Sequence, residues 1–173
     1  MAYTPNHKSN ELQAELTIAR VEERGFITSE RFEVGAGDTE NLHLRNPSDA
    51  DRDLRVHSIE MDTQFEAQGT VYDSFSDGPT GGTDAGVSNL LLDTDEENGV
   101  TEATVETGVT FTANDPYLVT VISSGGAGGK TGGIFRNGGP IIQPDRGIVL
   151  EVENQSGSAN DASLTIIYSE RPK

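Results

Sequence analysis

Wherever this chain shows a clear hydrophobic period, the period is two. Phe26 and Thr28 alternate with polar neighbours and lead to Phe32 and Val34, ending at Gly35-Ala36-Gly37-Asp38. Leu42 and Leu44 alternate with Asn41, His43 and Arg45 until Asn46-Pro47-Ser48-Asp49 stops them. Leu54, Val56 and Ser58, then Ile59 and Met61, open another run, and residues 70–75 follow Gly69. Side chains alternate between the two faces of a strand, so such runs read as half-buried strands between turns. Shorter strands are expected at 87–92, 103–111, 117–122, 147–154 and 162–168. Residues 12–22 fit either period, with strand preferred. Residues 76–86 (SDGPTGGTDAG) read as a loop on composition. Nine or ten short strands and no long amphipathic helix predict an all-β fold, a jelly-roll-like antiparallel β-sandwich. The expected organisation is an N-terminal arm over residues 1–20 and a sandwich domain over 21–173.

Charge sets the solvent in which such a sandwich is stable. Leu, Ile, Val and Phe make up only 39 of 173 residues, while 29 acidic side chains face 12 basic ones, for a net charge of -17. That much like charge opposes a compact state in dilute buffer. In molar salt the screening length falls to about 3 Å and the repulsion is suppressed. Only Lys8, Lys130 and Lys173 are lysines, against nine arginines. A carboxylate-rich, lysine-poor surface spread along the whole chain points to a protein of a high-salt environment. The same balance argues against nucleic acid and anionic membranes as partners, since both need a basic footprint.

Without cysteine, disulfides and thiolate metal sites are excluded. The N-terminal residues carry neither an apolar signal core nor a twin arginine, so the expectation is a product released by cell lysis rather than exported. No apolar run approaches the length of a membrane span.

No set of residues has the spacing of a catalytic centre, and the expectation is a non-enzyme without a cofactor. Residues 118–131 run from an apolar strand into Gly129-Lys130-Thr131, as in a phosphate-binding loop, but Ser124 stands where that loop needs its first glycine. The residues that follow are glycine-rich and poorly helical. Residues 123–140 therefore read as a long inter-strand loop. Its apolar members Ile134 and Phe135, with the adjoining Ile141 and Ile142, are candidates for contact with a neighbouring subunit. Asp93, Asp95 and Glu97 resemble half of a calcium loop, but Asn98 and Thr104 stand where that loop needs glycine and glutamate. They are weak candidates for a structural cation. His43 and His57 are expected on adjacent strands, facing outward, without a third ligand. Asn154-Gln155-Ser156 is a glycosylation sequon.

Two stretches carry a resemblance. VGAGDTENLHLRNPSDADRDLRVHSIEM joins an extended segment to a glycine turn and Leu42-His43-Leu44-Arg45-Asn46-Pro47. IIQPDRGIVLEVENQSGSANDASLTIIYSE runs through a Pro144-Asp145 turn into Ile148, Leu150 and Val152, and returns through Leu164, Ile166 and Tyr168. By pattern over about two-thirds of the chain, the sequence resembles small virion structural proteins of haloarchaeal tailed viruses. The resemblance implies a homo-oligomer on a virus particle, bound to capsid or tail proteins, with host-surface glycan as a further partner. It brings no catalytic residues. Capsid decoration or turret is the first expectation and a tail, baseplate or fibre component the second. A carbohydrate-binding module is weighed against both, although Tyr3, Tyr72, Tyr117 and Tyr168 are scattered and tryptophan is absent. A cupin-like metal enzyme would need more histidine than the chain has.

Overall fold

The computed structural model describes residues 24–64, 66–75, 78–90, 101–113, 116–122, 129–131 and 139–172. These form twelve strands: β1 (Gly25–Val34), β2 (Thr39–Asn46), β3 (Arg52–Thr63), β4 (Ala67–Phe75), β5 (Thr83–Asp84), β6 (Val87–Asn89), β7 (Thr104–Thr107), β8 (Leu118–Ile122), β9 (Gly129–Thr131), β10 (Ile141–Ile142), β11 (Arg146–Asn154) and β12 (Asn160–Pro172). The described residues include no helix. The alternation that marks the sequence also builds the core. Leu42 and Leu44 on β2, Ile148, Leu150 and Val152 on β11, and Leu164, Ile166 and Tyr168 on β12 are all buried in one cluster.

Two antiparallel sheets face each other across that core. One has the order β10-β3-β12-β1-β6, with β9 also on β3, and the other the order β5-β7-β2-β11-β4-β8. The pairing joins β1 to β12, β2 to β11, β3 to β9 and β10, and β4 to β8. This is a long hairpin wound around a core, with β1–β4 as one arm and β8–β12 as the return. It is the strand order of a jelly roll, two nested Greek keys. The strands β5–β7 are an insertion between β4 and β8 that lengthens both sheets at one edge.

Three departures from the sequence reading have local causes. The inward set on β3 changes phase between Val56 and Ile59, because the register with β12 steps over His57 in a bulge: Ile167 pairs with Ser58 and Tyr168 with Val56. The loop expected over 76–86 contains β5, and Thr80 forms a bridge to Thr110. The loop expected over 123–140 contains β9, in which Gly129, Lys130 and Thr131 pair with Thr63, Asp62 and Met61. The tripeptide that suggested a phosphate loop is thus part of an edge ribbon. The turn expected at Pro144-Asp145 is present: Asp145 has a φ of 68°, and the Arg146 amide donates to Gln143 O at 3.1 Å.

Leu150 is fully buried, with Leu42 and Val71 as its register partners on either side. Leu150→Ala is expected to cost about 2–5 kcal/mol, whereas Val119→Ala at an exposed site should stay within about 0.5 kcal/mol. Urea denaturation of both variants in molar salt measures the difference.

Candidate functional site

The β2-β11-β4 sheet turns Leu42, Leu44, Leu150 and Val71 toward the core, which sends Asn41, His43, Val149, Tyr72 and Ser74 to its other face. That face is covered. Residues 108–113 lie over it, pinned where Asn41 Nδ2 donates to Val109 O at 3.0 Å and Val109 N donates to Asn41 Oδ1 at 2.9 Å. The Phe111 ring meets Tyr72 at 5.3 Å between centroids. His43 is consequently 0% exposed.

Beneath this cover the fold assembles a serine, a histidine and a glutamate. His43 Nε2 lies 3.2 Å from Ser74 Oγ, and His43 Nδ1 lies 3.7 Å from Glu106 Oε2. Gly147 sits between the first two, and a Cβ there would come within 2.7 Å of the ring nitrogen and 2.8 Å of the hydroxyl. The composition is that of a nucleophile, a base and an orienting acid. The geometry is not. Burial, followed by the charge of Arg45, lowers the His43 pKa to about 4, which leaves a weak base at neutral pH. Glu106 stands beyond hydrogen-bond reach of the ring and within 3.6 Å of Arg45 Nε. The array is a buried polar packing unit.

Ser74 also borders an open cleft at this end of the sandwich. The register places Arg146 opposite Phe75 and Gly147 opposite Ser74, while β10 pairs with the start of β3 and closes the other side near Asp53. Asp53, Asp73, Ser74, Tyr117, Gln143 and Arg146 line a space of about 470 Å³. Large apolar side chains are exposed around it, with Tyr117 at 57%, Ile141 at 55% and Phe75 at 53%. The Arg146 guanidinium stacks 4.2 Å above the Phe75 ring, a cation–π contact that also shields part of that ring.

The sequence candidates separate. Ile141 and Ile142 point to opposite faces of β10, so Ile141 stands at the cleft and Ile142 is buried in the core. Ile134 and Phe135, and the acidic candidates Asp93, Asp95 and Glu97, lie outside the described residues. Among the described residues, no three His, Cys, Asp or Glu side chains are grouped to hold a metal ion. His43 and His57 belong to different sheets, not adjacent strands, and both are buried. His57 Nε2 meets Ser169 Oγ at 2.7 Å. The sequon asparagine is an interior residue, 3% exposed, whose amide donates to the carbonyls of Val34, Gly35 and Ser158. In the folded chain it is not an acceptor for sugar. The cleft itself was missed, although Gly147 within a strand is the kind of residue that marks a close approach. No helix among the described residues is long and apolar enough to cross a membrane.

Compared with known proteins, the chain matches no family model and no curated protein. Function is therefore argued from the fold, the charge and the cleft.

Two outcomes follow from this geometry. His43 titrates at about 4 when folded against 6.5 for the unperturbed group, so the unfolded chain binds more protons between those values. Stability is then full above pH 6.5 and falls by up to about 3 kcal/mol as the pH drops toward 4. Denaturation midpoints across that window should be flatter for His43→Gln; an equal slope would assign the acid loss to the carboxylates. Asn154→Ala removes the amide donor shared by the Val34, Gly35 and Ser158 carbonyls and is expected to cost about 3 kcal/mol by the same assay.

Proposed function

We propose that the protein is a structural component of the particle of a virus that infects salt-loving archaea, assembled on the capsid exterior as a decoration or turret protein. The observation that carries this reading is the jelly-roll order of the strands, an architecture that serves widely in viral capsids and in lectins. A fold alone does not fix a function. The net charge of -17 and the scarcity of lysine add the high-salt setting in which a particle of this kind would have to hold together. A tail, baseplate or fibre component would draw on the same properties.

In this reading the protein acts by association, without a catalytic step, and its partners are copies of itself and the capsid or tail proteins of the same particle. Molar salt screens exposed ion pairs to little value, so the contacts rest on apolar burial and direct hydrogen bonds. Ile141 suits such a contact, being a large apolar side chain exposed on a two-residue edge strand. Burying it against a neighbour would contribute about 1.5–3 kcal/mol.

Light scattering in molar salt and again in dilute buffer tests the proposal. A discrete oligomer that dissociates or unfolds on dilution is expected, and Ile141→Asp should weaken it at least about tenfold. A protein that is monomeric in both solvents and does not bind particles lacking it would overturn the reading.

A further inference from the structure

We propose that the cleft beside Tyr117 is a binding site for a neutral saccharide. Its volume of about 470 Å³ falls within the range of about 300–1,000 Å³ typical of small-ligand sites. Its lining combines two features that sugar rings match. The first is the Tyr117 ring, 57% exposed at the cleft, a flat apolar surface on which the C–H face of a pyranose can stack. The second is a set of hydrogen-bonding side chains: the carboxylates of Asp53 and Asp73 accept, the Arg146 guanidinium donates, and Gln143 and Ser74 can do both. Ionised carboxylates only accept hydrogen bonds, so the fitting ligand is rich in hydroxyl donors.

The same residues argue against other occupants. An apolar side chain from another protein would desolvate Asp53 and Asp73 without satisfying them, which is costly. An acidic sugar would meet two carboxylates against the single guanidinium of Arg146, on a chain of net charge -17. Stacking and hydrogen bonds to neutral hydroxyls also survive molar salt, in which ion-pair recognition is screened. One copy of the chain contains all the lining residues, and since Ile141 is among them, the sugar must still bind in the assembled protein for both readings to hold.

The full chain in molar salt would be tested by saturation-transfer NMR and calorimetry against neutral hexose oligosaccharides and their hexuronic-acid counterparts. Binding of a neutral sugar is expected, with transfer from the Tyr117 ring protons. Tyr117→Ala and Asp73→Asn should each weaken it at least about tenfold, while Tyr117→Phe, which keeps the ring, should stay within about threefold. Unfolding midpoints identical to the parent's would confirm that the variants still fold. No neutral sugar bound, a preference for the acidic sugars, or unchanged binding by Tyr117→Ala would each overturn the proposal. So would binding seen only in the dissociated protein, because a second copy would then occupy the cleft. Light scattering on the same samples reports assembly separately, so the two readings can fail independently.

Discussion

Asn154 holds the two sheets together at one corner, and much of the architecture follows from it. The residue ends β11, the middle strand of one sheet, and the chain turns there into β12, the middle strand of the other. Its side-chain amide reaches Val34 O and Gly35 O, where β1 leaves the second sheet for β2 in the first. Its side-chain oxygen accepts from the Ser156 amide at 2.9 Å and the Ser156 hydroxyl at 2.8 Å, and its own backbone exchanges bonds with Gly37 and Asp38. Two crossings between sheets thus share one buried side chain. A corner must leave strand pairing behind, and buried carbonyls without donors are expensive. One amide supplies what the ladder no longer can.

The device recurs. Asn46, fully buried, donates to Arg52 O at 2.7 Å and Ile142 O at 3.0 Å, tying the β2–β3 corner to the edge strand β10. Asn41 makes the paired bonds to Val109 that lay the inserted segment over the outer face of its sheet. All three ties are uncharged. In a solvent salty enough to quell a net charge of -17, exposed ion pairs such as Arg31–Asp161 lose most of their worth, while a buried amide bond is untouched by screening. The modest apolar core is therefore fastened in part by bonds that salt does not screen.

The same split decides what could be read in the sequence. The strands were legible because alternation states a face directly. Leu42-His43-Leu44 and Leu164-Thr165-Ile166 need no tertiary knowledge to be placed. Even the phase break between Val56 and Ile59 is visible, although only the pairing with β12 identifies it as a bulge at His57. The asparagines were legible as punctuation and illegible as fasteners. Asn46 reads as the end of a strand and Asn154 as a sequon, because the carbonyls they serve lie far away along the chain. The inserted cover was hidden for a related reason. Residues 108–111 read as the end of a strand over 103–111, and nothing local announces that they leave it to meet Asn41 and Tyr72 on the outer face of the sheet. The cleft depends on four separate stretches, 53, 73–74, 117 and 140–148, so its residues look scattered until the roll is closed.

A chain of net charge -17 has few ways to recognise a partner. A surface of like charges repels most polyanions and, in molar salt, gains little from cations, so long-range attraction is not available as a source of affinity. What remains is short-range: apolar faces, ring stacking and neutral hydrogen bonds. The end of the sandwich near β10 gathers those properties, with exposed Tyr117, Phe75 and Ile141 around a cleft that also holds hydrogen-bonding groups. Arg146 illustrates the economy of the arrangement. It stacks on Phe75, an attraction at van der Waals range. Contact chemistry of that kind would serve either an assembling neighbour or a sugar, because the cleft sets Pro140, Ile141 and Ile148 beside Asp53, Asp73 and Arg146.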